Sequence, residues 1–153
     1  MELYHPTPIQ EEPMLRNRWV LRLPEEVKID AWHVDSVSNL QYDFQNGRWH
    51  DIKIVIREFI SGDRMRFYDM LEFFEKNRKP IRIELLDGVG IGARDMTVEE
   101  YEVVNVSMSE LSYAKDGLLL STLTIRPTCI SIGKGDHRVM YSNRAKKKKF
   151  WLW

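Results

Sequence analysis

The sequence of 153 residues has a single cysteine, Cys129, and no apolar run long enough to cross a membrane. One cysteine cannot form an intramolecular disulfide, and no Cys/His spacing of the kind that binds zinc accompanies it. A membrane-spanning helix needs about 18 or more consecutive apolar residues, and the N-terminal segment lacks the basic and apolar regions of a signal peptide. These absences predict a soluble, non-secreted protein with no metal and no cofactor.

Glycine and proline are scarce, at 8 and 6 residues, which excludes collagen-like and low-complexity material. The chain also has no net charge, because 23 basic residues balance 23 acidic ones. A neutral chain creates no overall field that attracts nucleic acid or an acidic membrane, so any such binding depends on a local patch. With 43% hydrophobic residues and a length typical of one domain, the sequence predicts a single globular domain with its own core.

The charged residues are unevenly distributed along the chain. From Lys134 onward there are seven basic residues and one acid, Asp136, so this segment is +6 and the part before it is −6. The last four residues, Phe-Trp-Leu-Trp, are apolar, whereas the first fourteen are rich in proline and glutamate. The sequence therefore predicts three parts, which are an N-terminal arm (1–14), a folded domain (15–132) and a basic, aromatic C-terminal tail (133–153).

Alternation of side-chain type predicts three strands in the first half of the domain. Residues 15–23 alternate between apolar side chains and mostly arginines, and Pro24 ends the run. From Val27 onward apolar residues occupy every second position, which predicts a strand up to about residue 37 that forms a hairpin with the first strand. Asn46-Gly47 is a turn signal, and residues 52–57 beyond it alternate as a third strand.

The spacing of apolar residues changes to that of a helix in the middle of the chain. Four of them recur at i, i+3, i+4 and i+7, which predicts an amphipathic helix of about fourteen residues. Ser61 or Asp63 could cap its N-terminus, and Pro80 lies just beyond its end. The four apolar positions are Phe67, Met70, Leu71 and Phe74.

Strand patterning returns after the helix at residues 81–86, 100–108 and 118–125. A turn at 115–117 precedes the last of these strands, and Pro127 stops it. The order is thus three strands, one helix and three strands, in which hairpins dominate and a repeated βαβ unit is excluded. The sequence predicts a mainly β fold, an antiparallel six-stranded sandwich or barrel with one amphipathic helix packed on its side.

Few residues have the spacing of a catalytic or ligand-binding site. His33 and Asp35 would share a strand face, and His50 could join them, but no nucleophile or fixed ligand spacing accompanies them. The glycine-rich loop 87–92 has the composition of a phosphate cradle, yet it leads into a strand and not into a helix. Cys129 has no nearby histidine and is interpreted as a small buried residue. We therefore predict that the protein is not an enzyme, and an enzyme with a site around the two histidines remains an alternative.

The C-terminal tail carries the main candidate binding residues. Its lysines could contact nucleic acid or acidic lipid while its aromatic rings stack on bases, or the lysines could simply be solvated. Burying a Trp side chain is worth ~2–3 kcal/mol, so three large aromatic residues at a chain end favour a pocket on a neighbouring copy. We interpret the tail as an anchor for a partner protein, with the candidate binding residues Lys146, Lys147, Lys148, Lys149, Phe150, Trp151 and Trp153.

Three segments of the domain carry a resemblance to a known family: DIKIVIREFISGDRMRFYDMLEFF, IRIELLDGVG and YEVVNVSMSELSYAKDGLLLSTLTIRP. Together with the basic first strand that ends at Leu23-Pro24, they resemble the tail tube proteins of contractile-tailed bacteriophages. That family is similar in fold to the tube protein of type VI secretion. The resemblance spans about residues 15–127 and depends on the order of the elements, above all on one helix after the third strand.

The resemblance implies a structural virion protein of the phage tail, assembled in the host cytoplasm. Its β-barrel-like subunit would form hexameric rings that stack into a hollow tube, in contact with tail sheath and baseplate proteins and with no membrane. Genomic DNA would pass through the lumen without specific binding. The acidic domain suits this role, because a negative potential lets a DNA duplex slide without adhering to the wall.

The two terminal extensions depart from the family, whose members commonly end soon after the last strand. Such extensions fit a subunit that also binds sheath or baseplate, so a baseplate hub or tube initiator on which the tail tube nucleates is an alternative function. A nucleic-acid-binding module that uses the basic tail is a second alternative, and it predicts binding with a steep salt dependence.

Overall fold

A computed structural model describes residues 13–144, which form a mainly β structure with 48% strand and one α-helix. The predicted fold class, an antiparallel β structure with a single helix on its side, is confirmed. The strands of this region are β1 (Trp19–Arg22), β2 (Val34–Ser38), β3 (Tyr42–Asp43), β4 (Arg48–Trp49), β5 (Ile52–Arg57), β6 (Ile81–Leu86), β7 (Gly92–Met108), β8 (Leu120–Lys134) and β9 (His137–Ser142). The helix α1 (Arg66–Phe74) lies between β5 and β6.

The main sheet has the strand order β1-β6-β7-β8-β5-β2, with β9 also paired to β8, and it is nearly closed into a barrel. All of its pairings are antiparallel. The long hairpin of β7 and β8 has different neighbours at its two ends. β6 and β9 flank one end of the hairpin, and β5 flanks the other. The short β3–β4 hairpin forms a second sheet, and its turn contains Gly47 at φ 64, as the Asn46-Gly47 signal predicts.

Alternation along the strands places one set of side chains inside the barrel. In β5, Ile52, Ile54 and Ile56 are buried, whereas the intervening residues are more accessible. Cross-strand partners share a face of a sheet, so these isoleucines meet the inward side chains of β8. The helix closes one side of the core. Its buried apolar residues are Met70, Phe73 and Phe74, whereas Leu71, which the spacing rule placed on the inner face, is 43% exposed.

The hairpin predicted between residues 15–23 and 27–37 is wrong. The strand β1 pairs with β6, and the chain after it forms two short 3-10 helices, Glu25–Val27 and Ala31–His33. Lys28 adopts a left-handed conformation with φ 62, which turns the chain away from a strand path. Val27 and Ile29 are nevertheless buried, and this burial explains why their spacing resembled that of a strand.

The helix has nine residues instead of the predicted fourteen, and neither Ser61 nor Asp63 caps it. Its first amides are satisfied by a side chain from β5's end: the Glu58 carboxylate accepts hydrogen bonds from the backbone N–H groups of Arg66 (2.9 Å) and Phe67 (2.8 Å). Exposed N–H groups at a helix start need such acceptors. The tertiary fold therefore supplies the cap that local sequence was expected to supply.

The strand β8 does not stop at Pro127 but continues to Lys134. On the side of β8 away from β7, β5 pairs with residues 120–125 and β9 with residues 129–134. Pro127 lies in the gap between these two partners, where its missing N–H costs no ladder hydrogen bond. The sheet thus extends beyond residue 132, and β9 lies within the range predicted as tail.

Candidate assembly surfaces

The candidate catalytic residues belong to separate local contacts. His33 is buried beneath the rings of Trp32 and Phe59, and its Nε2 lies 3.0 Å from a guanidinium nitrogen of Arg66. Burial, followed by the Arg66 charge, lowers the pKa of His33, so the ring is neutral at neutral pH. Asp35 instead accepts a hydrogen bond from Arg57 at 3.0 Å. The arrangement gives His33 and Asp35 structural partners and does not aim them at a common substrate position.

The remaining sequence candidates are not brought together with these residues, since His50 lines a separate cleft with Asp51 and Arg126. In the loop 87–91, the Asp87 carboxylate accepts the backbone N–H groups of Val89 and Ile91, each at 2.9 Å, and these hydrogen bonds lower the pKa of Asp87. The loop amides that a phosphate would use are therefore turned toward a carboxylate of the chain itself. Cys129 is buried and unpaired. Across residues 13–144, no group of three or more His, Cys, Asp or Glu side chains is placed to hold a metal ion.

The partner-binding residues predicted in the tail, Lys146 through Lys149 with Phe150, Trp151 and Trp153, lie outside the described residues. Within residues 13–144, no helix is long and apolar enough to span a membrane. The surfaces that remain as functional candidates are exposed apolar patches and strand edges. Both are features through which protein subunits associate.

The first candidate surface is the open edge of β7. β6 pairs with β7 only up to Val98, so the rest of the strand has β8 on one side and, in the part of the chain that the structure describes, no strand on the other. A shallow groove of about 380 Å³ runs beside this edge, between Leu71 and Phe74 of α1 and Val103 and Val106 of β7. An unpaired strand edge with an apolar groove beside it can accept an additional strand.

The second candidate surface, which we call the loop patch, surrounds the β5–α1 loop. Ile60 is fully exposed at its tip. The base of the loop is held firmly, since Glu58 accepts hydrogen bonds from the start of α1 and from Ser121 Oγ (2.8 Å). A rigid base with a projecting apolar tip is suited to insertion into a neighbouring subunit. The exposed apolar residues of the loop patch are Trp32, Phe59, Ile60, Met65 and Tyr68.

The third candidate surface, which we call the β9 face, lies at the opposite edge of the sheet. Ile130 and Ile132 of β8 pair with Tyr141 and Val139 of β9, so the four side chains share one face. Ile130 is fully buried, but Val139 is 68% exposed, so the core continues outward as an uncovered apolar surface. The ring of Tyr141 contacts Tyr42, which contacts Phe44 of the β3–β4 turn. The β9 face therefore consists of Phe44, Ile132, Val139 and Tyr141.

A buried ionic network holds β9 to the sheet from the other side. Asp95 of β7 is 3% exposed, and its carboxylate accepts hydrogen bonds from both terminal nitrogens of the Arg138 guanidinium. The distance from Arg138 Nη1 to Asp95 Oδ2 is 3.0 Å. Arg82 (3.3 Å) and the Thr97 hydroxyl (2.9 Å) complete its contacts. The hydrogen bonds from Arg138 lower the pKa of Asp95, so the carboxylate is ionised at neutral pH. This network holds β9 against the sheet, with Val139 and Tyr141 on the face of the strand opposite to Arg138.

The β9 face is not among the sites predicted from the sequence, because residues 133–144 fall within the predicted tail. The alternation of His137, Val139 and Tyr141 with Arg138 and Met140 is a strand signal that could have revealed β9. The open edge of β7 could not have been found in this way, since it depends on where β6 ends relative to β7.

Comparison with known proteins identifies the fold and no closer relationship. No protein-family model matches the chain, and no curated protein sequence matches it. A chain from the tube-terminating cap of the anti-feeding prophage is similar in structure, with a TM-score of 0.56, 13% identity, and coverage of 93% of this chain and 99% of that chain. A chain from the sheath/tube terminator of the extracellular contractile injection system PVC gives a TM-score of 0.54 with 15% identity, covering 86% and 98%.

A type six secretion system protein is also similar, with a TM-score of 0.50, 10% identity, and coverage of 84% of this chain and 98% of that one. The resemblance to the tail tube fold predicted from the sequence is thus confirmed, because these solved structures come from tube and terminator assemblies of contractile injection systems or from type six secretion. At such low identity the likeness establishes the fold alone.

Proposed function

We propose that this chain is a structural subunit of the tail tube of a contractile phage tail, which forms hexameric rings that stack into a DNA-conducting channel. The observation that carries the proposal is the structural match of 93% of the chain to one chain of a tube-terminating cap. The barrel of this chain also leaves part of a strand edge, that of β7, unpaired within the described residues. Ring closure would cover such edges, which are hazardous when left open in a free subunit. The proposed site of action is the virion tail, after assembly in the host cytoplasm.

Three features of the described residues support assembly over catalysis. The open edge of β7, the loop patch and the β9 face lie on different elements, as a subunit with several neighbours requires. The side chains of His33 and Asp35, by contrast, are engaged in structural hydrogen bonds. The tail residues Lys146–Lys149, Phe150, Trp151 and Trp153 are proposed to anchor the subunit to a partner protein, such as a neighbouring copy, sheath or baseplate.

A baseplate hub, tube initiator or terminator is the second candidate function. Two of the similar structures come from a tube-terminating cap and a sheath/tube terminator, which are end pieces of a tube. An end piece must bind a different protein on one of its two sides. The arm and the tail, as extensions of the barrel, would provide additional contacts for that purpose.

Negative-stain electron microscopy of the purified protein at increasing concentration tests the proposal. We expect rings, and for a main tube subunit stacked rings, whereas an end piece forms single rings. A protein that stays strictly monomeric at high concentration would contradict both functions. Steeply salt-dependent binding of duplex DNA that disappears when the four tail lysines are replaced would instead favour the nucleic-acid-binding alternative.

A matched pair of variants tests whether the loop patch is an assembly contact. Ile60→Asp and Lys76→Gln each change the net charge by one negative unit at an exposed position. Because Ile60 has no buried contacts to lose, we expect both variants to melt like the wild-type protein, and only Ile60→Asp to form fewer rings. Equal ring formation by the two variants would exclude the loop patch as a contact.

A further inference from the structure

The β9 face is an apolar surface that continues the core but has no cover within residues 13–144. Phe44 is 72% exposed, and Val139 and Tyr141 remain accessible beside it, although Ile130 on the same face of the sheet is fully buried. Apolar side chains arranged in this way along an edge strand promote association with another polypeptide. The surface is therefore suited to an apolar occupant.

The described part of the chain ends beside this surface. The backbone N–H of Arg144 donates to the Gly47 carbonyl at 2.7 Å, and its guanidinium donates to the carbonyl of Phe44, itself a member of the β9 face. Five residues lie between Arg144 and Phe150, so the Cα atoms of these two residues can be at most ~22 Å apart. The four apolar residues at the C-terminus are thus connected to the β9 face by a linker short enough to keep them near it.

We infer that in the unassembled subunit Phe150, Trp151 and Trp153 of the C-terminal tail pack on the β9 face of their own chain. A short linker gives an effective concentration in the millimolar range, so this docking prevails over binding of a second copy at micromolar concentration. Aromatic side chains are the residue type most often used as anchors in apolar recesses. If the aromatic residues dock in this way, the four lysines that precede them would come close to the strand edge and disfavour its pairing with another strand.

The consequence is a subunit that covers its own sheet edge until it meets a neighbour. In a ring, the same segment would move to the β9 face of the next copy, an exchange that preserves the contacts and adds a link between copies. Only this exchange depends on the proposed function. Docking within the free subunit does not.

Disulfide trapping tests the docking directly, in a Cys129→Ala background that removes the native thiol. Val139→Cys combined with Trp151→Cys places one thiol on the β9 face and one in the tail. Met140→Cys with Trp151→Cys is the matched control, because Met140 is similarly exposed, at 62%, but its register partner Ser131 places it on the opposite face of β9. A disulfide forms only when the two Cα atoms approach to roughly 4.4–6.8 Å.

We expect an intramolecular disulfide to form about tenfold faster in the Val139 pair than in the Met140 pair, at a rate independent of protein concentration from ~1 to ~10 µM. Equal rates in the two pairs would overturn the inference. So would a covalent dimer as the main product at the lower concentration, which would make a second copy the occupant. Because these measurements use the monomer, a failure of rings to form would count against the proposed function and leave the docking result intact.

Hydrogen exchange on the full chain provides a second measurement that needs no new cysteine. The variant Phe150→Ser/Trp151→Ser/Trp153→Ser should exchange the amides of His137–Ser142 about tenfold faster than the wild-type protein. The amides of α1 (Arg66–Phe74), which packs beside Val103 and Val106 at the end of the β7–β8 hairpin farthest from β9, should exchange equally in both. Unchanged protection of β9 in the triple variant would contradict the inference.

Discussion

Replacement of Arg138 by Met tests whether the ionic network on β7 and β9 positions the β9 strand. Asp95 is almost fully buried, and Arg138, whose side chain is 24% exposed, provides two of its hydrogen bonds. Removing one partner of a buried pair leaves an uncompensated charge, which typically costs about 3–5 kcal/mol. Here the carboxylate keeps Arg82 at 3.3 Å and the Thr97 hydroxyl at 2.9 Å. We therefore expect a loss of about 2–3 kcal/mol in the free energy of unfolding.

Chemical denaturation at pH 7 measures this loss, and Lys115→Met provides the matched control. Lys115 pairs with Glu110 at 2.7 Å, but both side chains are about two-thirds exposed. An exposed ion pair contributes roughly 0–1 kcal/mol, so the control should unfold nearly like the wild-type protein. For a domain of this size the Arg138→Met loss corresponds to a decrease in Tm of about 5–10 °C. If the two variants lose equal stability, the network does not hold β9 and the reasoning is refuted.

The pH dependence of Asp95→Asn gives an independent check. The folded protein lowers the pKa of Asp95, chiefly through hydrogen bonds from Arg138, relative to about 3.9 in an unfolded chain. The unfolded state therefore binds a proton first as the pH falls, and the stabilisation present above pH 4 is lost as the pH drops through the lower folded pKa. The stability difference between wild type and Asp95→Asn should be largest at pH 7 and shrink below pH 4.

Three further predictions concern polar groups that are buried or half-buried. Tyr101→Phe should lower the free energy of unfolding by about 1 kcal/mol, because the Tyr101 hydroxyl donates a hydrogen bond to the Lys79 carbonyl at 2.7 Å. Burial raises the pKa of Tyr101 to about 12, so ultraviolet titration should show that this side chain stays protonated at pH 11. Glu58→Gln should cost about 1–2 kcal/mol, since it weakens the acceptor for the first amides of α1, and circular dichroism in denaturant should detect the change. Burial and the Arg66 charge lower the pKa of His33 in the folded protein, so the unfolded state takes up a proton first as the pH falls. The stability of the wild-type protein should therefore decrease below about pH 6.5. His33→Gln should show a smaller decrease in stability between pH 7 and pH 5.

The fold class was predictable because alternation and helical spacing are local properties of the chain. Ile52, Ile54 and Ile56 alternate with more accessible residues wherever β5 is placed, and the 3.6-residue period around Met70 excludes a strand there. The boundaries were less predictable. Lys28 interrupts a run of strand-like spacing through its left-handed backbone, and Glu58 caps a helix that begins eight residues later.

The candidate surfaces were predictable only where they depend on composition. The aromatic residues of the C-terminus are unusual in any fold, and their role as an anchor remains a prediction because they lie outside the described residues. The exposure of Ile60 and Val139 could not be inferred, since isoleucine and valine at strand-like or loop positions are more often buried. Their exposure depends on what the rest of the chain fails to cover.

The order of apolar and polar residues alone determined that this protein is an antiparallel β structure with one helix. A strand with one buried face has an apolar residue at every second position, whereas a helix has one about every 3.6 residues, and both periods can be read along the chain. Which strands pair, which edges stay open and which apolar face remains uncovered were decided by tertiary structure. These features depend on residues far apart in the chain, such as β1 with β6 and Asp95 with Arg138. Contacts over such separations leave no local pattern, since many pairings satisfy the same alternation and only the packed barrel selects one of them.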